Sequence, residues 1–221
     1  MQRTLIHIIP SNLWGGVERY ALDICRYFID CGWQVEAYTR DAKAVDALFA
    51  EAGVKLRHAP LQGLADPATL LTLKDDMARM PEDTVIHTHR YRDAVLALAA
   101  RRLARRPDIR VVNTRHIVKR AHDSWIYRRM YRRLDTHIFV SDAALDRFLS
   151  TWRHRRLPFP KEKIRVLHNS LYLPDSEPAP EPDKGPIVAM FHGPLRPGKG
   201  LETLIDALPR LKGMRTRLRI V

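Results

Sequence analysis

Short runs of β-branched residues alternate with longer segments of helical periodicity along most of this chain, and that alternation restricts its fold more than any other feature. The runs are Thr4 to Ile9, Gln34 to Thr39, Thr84 to Thr88, Arg110 to Thr114, Thr136 to Val140 and Ile164 to His168. Each has the length and residue types of a strand. Between them the spacing predicts helices over Ala42 to Ala52, Pro67 to Met80, Asp93 to Arg105, Asp123 to Leu134 and Ala143 to Thr151. The helix after the first strand is the most explicit. Its residues Val17, Ala21, Ile24, Phe28 and Cys31 form one stripe, Glu18 falls in the first turn, and Gly32 stands just past the end. Parallel strands need a long crossover, and a helix supplies it while covering a face of the sheet. The expected class is α/β, a Rossmann-like doubly wound parallel sheet.

The pattern breaks at Pro174. From there to Pro186 the chain reads PDSEPAPEPDKGP, thirteen residues with five prolines and four acids. Proline fixes φ and lacks an N–H, so this composition suits neither a helix interior nor a central strand. Beyond it a strand over Ile187 to His192, the loop GPLRPGKG, a helix over Leu201 to Leu211 and a strand over Arg217 to Val221 form one more βαβ unit. The predicted organisation is a domain over 1–173, a linker over 174–186 and the truncated start of a second α/β domain over 187–221. A lone βαβ unit buries neither face of its sheet, so the 221 residues are expected to be a fragment.

Composition excludes several classes. A hydrophobic fraction of 45% with 29% charged residues supports a packed core and is far from the signature of disorder. No run approaches the roughly 18 to 20 apolar residues of a membrane-spanning helix. Pro10 closes the early apolar stretch before a secretory signal is complete, so the expected compartment is the cytoplasm. Cys25 and Cys31 fit no disulfide framework and no zinc or redox motif, and are expected to be reduced packing residues.

The net charge of +13 is concentrated. Between Arg101 and Arg133 twelve Lys or Arg stand against two acids, Asp108 and Asp123. There Trp125, Ile126, Tyr127, Met130, Tyr131 and Leu134 interleave with Arg128, Arg129, Arg132 and Arg133, giving an amphipathic helix with an aromatic side. Together with Lys119 and Arg120, these arginines predict attraction to an anionic membrane surface, at about 1 kcal/mol per basic residue. The plainer reading is a solvated face over core aromatics. Nucleic acid is not an expected partner, because no RNA-binding or zinc-finger signature accompanies the charge.

Several motifs carry chemistry. Trp14, Gly15, Gly16 and Val17 lie where the first strand passes into the first helix, and a glycine backbone there lets an anion approach the helix N-terminus. A tight turn that needs glycine for geometry alone is the alternative. The segment Gly193 to Gly200 nearly spells the P-loop, but Gly200 has no hydroxyl for Mg²⁺, and Pro194 and Pro197 remove amide donors. What remains is Lys199 at a helix N-terminus, facing a diphosphate or simply solvated in its loop. His87 and His89 share one face at the end of a strand. No third ligand falls at a suitable spacing, so no metal is expected. His116 follows another strand, at the carboxyl edge where α/β sheets bind ligands.

These pieces, in this order, resemble the GT-B retaining glycosyltransferases of the family called glycosyl transferases group 1, or family 4. The resemblance rests on IPSNLWGGVERYALDICRYFIDCGWQVEAYT, VIHTH, THIFVSDAAL, IRVLHNSL and FHGPLRPGKGLETLIDALPRL, and covers nearly the whole chain. It implies transfer of a sugar, with retention, from a nucleotide diphosphate donor lying between two Rossmann-like domains. No cofactor or metal is expected, and the basic stretch fits an enzyme docked peripherally on the anionic inner membrane face, with an acceptor that is lipid-linked or a cell-surface polysaccharide such as lipopolysaccharide. By the same resemblance Gly15 and Gly16 let the first helix approach the diphosphate, Arg196 and Lys199 bind it, and Lys199 neutralises the leaving group. His116 then contacts the transferred sugar, and Trp14, His89 and Asn169 contact sugar or acceptor. This chain departs from the pattern in three places. Pro194 stands where the family commonly has Arg, Asn169 is followed by Ser170 instead of Gly, and the family's later EX7E segment is absent. The residues alone also admit a rival, a non-catalytic α/β module for a phosphorylated ligand or nucleic acid, and the 221 residues by themselves are expected to be inactive in transfer.

Overall fold

The structure is a computed structural model that describes residues 3–170, 187–193, 195, 197, 199–211 and 216–221. Contacts divide the chain into two units, Met1–Tyr172 and Leu173–Val221. The Pro-rich stretch over 174–186, together with Pro194, Arg196 and Gly198, lies outside the described residues.

The first unit alternates strand and helix throughout: β1 (Thr4–Ile8), α1 (Gly16–Asp30), β2 (Gln34–Thr39), α2 (Lys43–Glu51), β3 (Lys55–His58), α3 (Pro67–Met77), β4 (Val85–Thr88), α4 (Tyr91–Leu103), β5 (Arg110–Arg115), α5 (Trp125–Arg133), β6 (Thr136–Phe139), α6 (Asp142–Leu149) and β7 (Ile164–Val166). All seven strands pair in parallel, in the order β3-β2-β1-β4-β5-β6-β7. The order reverses between β1 and β4, the switch point at which an open α/β sheet leaves a crevice outside its carboxyl ends. Every residue of β1 is buried, as a strand covered on both faces requires. Leu5 and Ile9 join one apolar cluster with α1 and α2, whereas Ile6 and Ile8 join the larger cluster beneath α3 to α6.

The structure adds one strand to the sequence reading, corrects the reading of Cys31, and decides where the aromatic side of one helix goes. The strand β3 was not foreseen, because two of its four residues, Lys55 and Arg57, are charged. They lie against the buried Glu36 of β2, with Lys55 Nζ at 3.2 Å and Arg57 Nε at 2.5 Å from its carboxylate. Burial alone raises the Glu36 pKa, but the hydrogen bonds and charges of Arg57 and Lys55 outweigh it and hold the carboxyl below its ordinary range. Charge of this kind also protects an edge strand from further pairing. Cys31 is exposed at the end of α1, and the buried stripe runs through Ala21, Leu22 and Cys25. Gly32 follows with φ of +80°, the left-handed conformation that ends many helices. Finally, most of the aromatic side of α5 is core: Met130, Tyr131 and Leu134 are buried, while Trp125 alone stands well out, 74% exposed.

The second unit is a parallel pair, β8 (Ile187–Phe191) and β9 (Thr216–Ile220), with α7 (Leu201–Ala207) between them and a 3₁₀ turn over Leu208–Leu211. Gly200 caps α7 with φ of +87°, so glycine is needed here for backbone geometry where a P-loop carries a hydroxyl. Among the described residues no helix is long and apolar enough to cross a membrane.

Candidate functional site

The carboxyl edge of β1, β4 and β5 gathers an unusual density of imidazoles. His7 of β1 and His87 of β4 are register partners on adjacent parallel strands, so both side chains project on the same face. His89 follows two residues later, and His116 lies just past β5. The rings form a chain: His7 Nδ1 lies 3.0 Å from His89 Nε2, and His89 Nδ1 lies 3.1 Å from His116 Nε2. His87 Nε2 reaches Thr114 Oγ1 at 2.7 Å. The edge of the Tyr20 ring, on α1, packs against His116 with centroids 4.9 Å apart.

Burial sets the charge of this array. It lowers His7 to about 3 and the half-buried His116 to about 4. His87 and His89 lie well below 6.5, first through burial and then through the neighbouring imidazoles. All four are neutral near pH 7.

His89 and His116 line a cavity of about 640 Å³ that also touches Val17 in the first turn of α1, Asp93 of α4, Arg115, Lys119 and Arg120. Arg115, 5% exposed, positions the loop after β5. Its guanidinium donates to the carbonyls of Lys119 and Arg120, and packs over the rings of Tyr91 at 5.1 Å and Phe148 at 5.4 Å. Asp93 is buried with Oδ2 unpartnered. Burial raises its carboxyl to about 7, against the opposing charges of Arg90 and Arg92. A group that titrates there can hold or release a proton at neutral pH.

At the start of α1, Gly15 has an extended backbone and caps the helix without a side chain. A Cβ on Gly15 would meet Glu18 Oε2 at 3.1 Å, whereas one on Gly16 would meet nothing within 4 Å. Nothing within its surroundings demands glycine at 16, and the space stays open beside the helix N-terminus. Glu18 is buried in that first turn, so the helix end already has a carboxylate close by. Trp14, partly exposed, precedes the glycines.

The structure thus brings His89, His116, Lys119 and Arg120 onto one cavity with the first turn of α1. Both ring nitrogens of His89 are spent on other histidines. Asn169 is exposed beyond the end of β7. On α5, Arg128 is paired with Asp123 at 2.6 Å, Arg129 and Arg132 are exposed, and Arg133 is half-buried. Arg120 also borders a hollow of about 520 Å³ with Arg147, Arg153, His154 and Arg155, and Asp123 beside them. Lys199 is exposed in the second unit, and Arg196 lies outside the described residues.

Sequence reasoning finds no third ligand near His87 and His89, and the fold corrects that ground by supplying His7. One nitrogen from each of His7, His87 and His89 lies within 4.8 Å of the others, as do ligand atoms of Asp41, Asp46 and His58. Three neutral imidazoles suit a borderline metal such as zinc, but two of these rings already hydrogen-bond each other and no carboxylate joins them to offset a divalent charge. Asp93 and Arg115 carry no sequence signal for their place at the cavity, because it depends on burial.

A cavity at the strand-order reversal is where a Rossmann-like sheet takes its ligand, and the solved structures that superpose on this chain include glycosyltransferases of GT-B fold. A glycosyltransferase from Rickettsia africae superposes with a TM-score of 0.74 at 17% identity, over 99% of this chain and 60% of that one. Anabaena HepE, solved with UDP and glucose, gives 0.70 at 18% over 98% of this chain and 60% of its own. The lipopolysaccharide outer core galactosyltransferase WaaB gives 0.70 at 17%, over 99% and 60%. The chain therefore spans about 60% of the length of these structures. No curated protein sequence matches it. Residues 14–173 match Glycosyltransferase Family 4, and the chain belongs to that family.

Proposed function

We propose that the whole protein transfers a sugar from a nucleotide diphosphate donor to a saccharide or lipid-linked acceptor, with retention at the anomeric carbon. The observation that carries this reading is the cavity at the switch point: it bears His116, opens at the first turn of α1, and falls inside the segment that matches the family. HepE with UDP and glucose, and the galactosyltransferase WaaB, support a sugar nucleotide and a saccharide acceptor.

In this mechanism the leaving diphosphate gathers negative charge in the transition state. Lys199 and the amides at the start of α1 near Gly16 are assigned to meet that charge, with Arg196 as a second cation, so no metal is required. His116 contacts the transferred sugar and is neutral when it does. Trp14 and Asn169 contact sugar or acceptor, and His89 acts through His116. The donor's own phosphate receives the acceptor proton, and these 221 residues alone are inactive in transfer. The exposed Lys119, Arg120, Arg129 and Arg132, with Arg128 and Arg133, draw the enzyme to an anionic inner-membrane surface.

A panel of nucleotide sugars screened by thermal shift on the whole protein, followed by NMR of the product, tests the reading. One donor should raise the melting temperature and yield a product with the donor's anomeric configuration. Inversion at that carbon refutes retention, and the absence of any stabilising sugar nucleotide refutes the donor class.

A further inference from the structure

The imidazole chain from His7 to His116 has only two consistent settings of its protons. The three rings are neutral, so each carries one N–H. Each contact, at 3.0 and 3.1 Å, joins two ring nitrogens, and one of the two must supply the hydrogen. Either all three rings are protonated on Nδ1, or all three on Nε2. A mixed setting sets two lone pairs or two N–H groups against each other.

The inner end decides between them. His7 is fully buried and its Nε2 has no partner. With Nε2–H throughout, the orphan is a buried donor. With Nδ1–H throughout, it is a buried ring lone pair. Among backbone groups orphaned buried N–H donors are rarer than under-satisfied acceptors, and the same ranking extended to the ring nitrogens favours the buried lone pair. We propose that His7 and His89 are positioning residues that fix His116 as its Nδ1–H tautomer, so that His116 meets its ligand as a hydrogen-bond donor.

The ligand atom it selects is an acceptor oxygen, of a sugar hydroxyl or of a phosphate. His116 then does not serve as a base through Nδ1. His87 is not part of the chain: its Nε2 meets the Thr114 hydroxyl, which can donate or accept. The proposal rests on the reading of His116 as a ligand contact, but the tautomer is a property of the protein without ligand.

The test is a two-bond ¹⁵N–¹H correlation spectrum of the 221-residue chain labelled with ¹⁵N-histidine, at pH 7.5. His89 and His116 should both be protonated on Nδ1, against the preference of isolated neutral histidine for Nε2–H. A proton on Nε2 of His116 in the unsubstituted chain overturns the proposal. His7→Asn keeps an amide donor close to the position of Nδ1, and His116 should stay as it is. His7→Leu removes the donor and should move more than half of His116 to Nε2–H. An unchanged His116 in folded His7→Leu overturns the positioning role. Should His7→Leu not fold, the spectrum of the unsubstituted chain still decides the tautomer, and His89→Leu, which removes the donor next to His116 Nε2, carries the positioning test: an unchanged His116 there overturns it. No substrate enters the measurement, so its failure leaves the glycosyltransferase reading standing, and failure of that reading leaves the tautomer standing.

Discussion

Five histidines, His7, His87, His89, His116 and His137, are held by burial below the ordinary imidazole range. In the unfolded chain each takes up a proton near pH 6.5, while in the folded chain His7 resists down to about 3, His116 and His137 down to about 4, and His87 and His89 to well below 6.5. The unfolded state therefore binds more protons below pH 6.5, and stability falls with pH from there. Asp93 has the opposite sign. Its carboxyl is raised from 3.8 to about 7, so the folded state keeps a proton the unfolded state has lost, and stability falls as pH rises towards 7. The melting temperature should peak near pH 6.5. Asp93→Asn should raise stability above pH 7 by about 4 kcal/mol, at 1.36 kcal/mol per unit of pKa shift. Melting curves of both chains from pH 5 to 9 check this, and equal curves above pH 7 would contradict the unpartnered burial of Asp93. Little of this was legible beforehand. His7 and His89 are 82 positions apart, and only the pairing of β1 with β4 makes them neighbours.

The elements were legible where period and composition agree. The buried β-branched run of β1 and the stripe of α1 both point to the observed structure, because a strand covered on both faces has little room for polar residues. The edge strand β3 escaped because its two cations rest on Glu36, a partner supplied by another strand. In α5 the periodicity was read correctly but the destination of its apolar side was open: a stripe shows that a face is covered, not what covers it. The structure assigns most of that face to the core. Tyr131→Ala should accordingly cost about 3 to 5 kcal/mol, as truncation of a fully buried aromatic does. Trp125→Ala should stay within about 0.5 kcal/mol of the parent. Urea titrations of the two variants measure both, and a large loss in Trp125→Ala would mean that α5 is seated the other way round.

At the scale of the whole molecule, alternation of strand and helix fixes parallel pairing, and parallel pairing fixes where a ligand can enter. The site is only half legible for a related reason. Gly16 and His116 lie at the ends of elements, where sequence position indicates place. Asp93 and Arg115 depend on burial that no local pattern reports. The charge is a global property too: of the net +13, the stretch between Arg101 and Arg133 holds twelve Lys or Arg against two acids, and it should give salt-dependent binding to anionic vesicles and little to neutral ones. Replacing Arg129 and Arg132 by Gln should weaken that binding severalfold in co-sedimentation; equal pelleting with both vesicle types would remove the electrostatic argument. Under the proposed function, positive charge held ready for a leaving diphosphate drives the reaction. Steady-state turnover of Lys199→Ala in the whole protein measures that contribution. A loss of about 10² to 10³ in kcat is expected, the usual cost of removing one such preorganised group, and turnover within a few-fold of the parent would contradict the proposal.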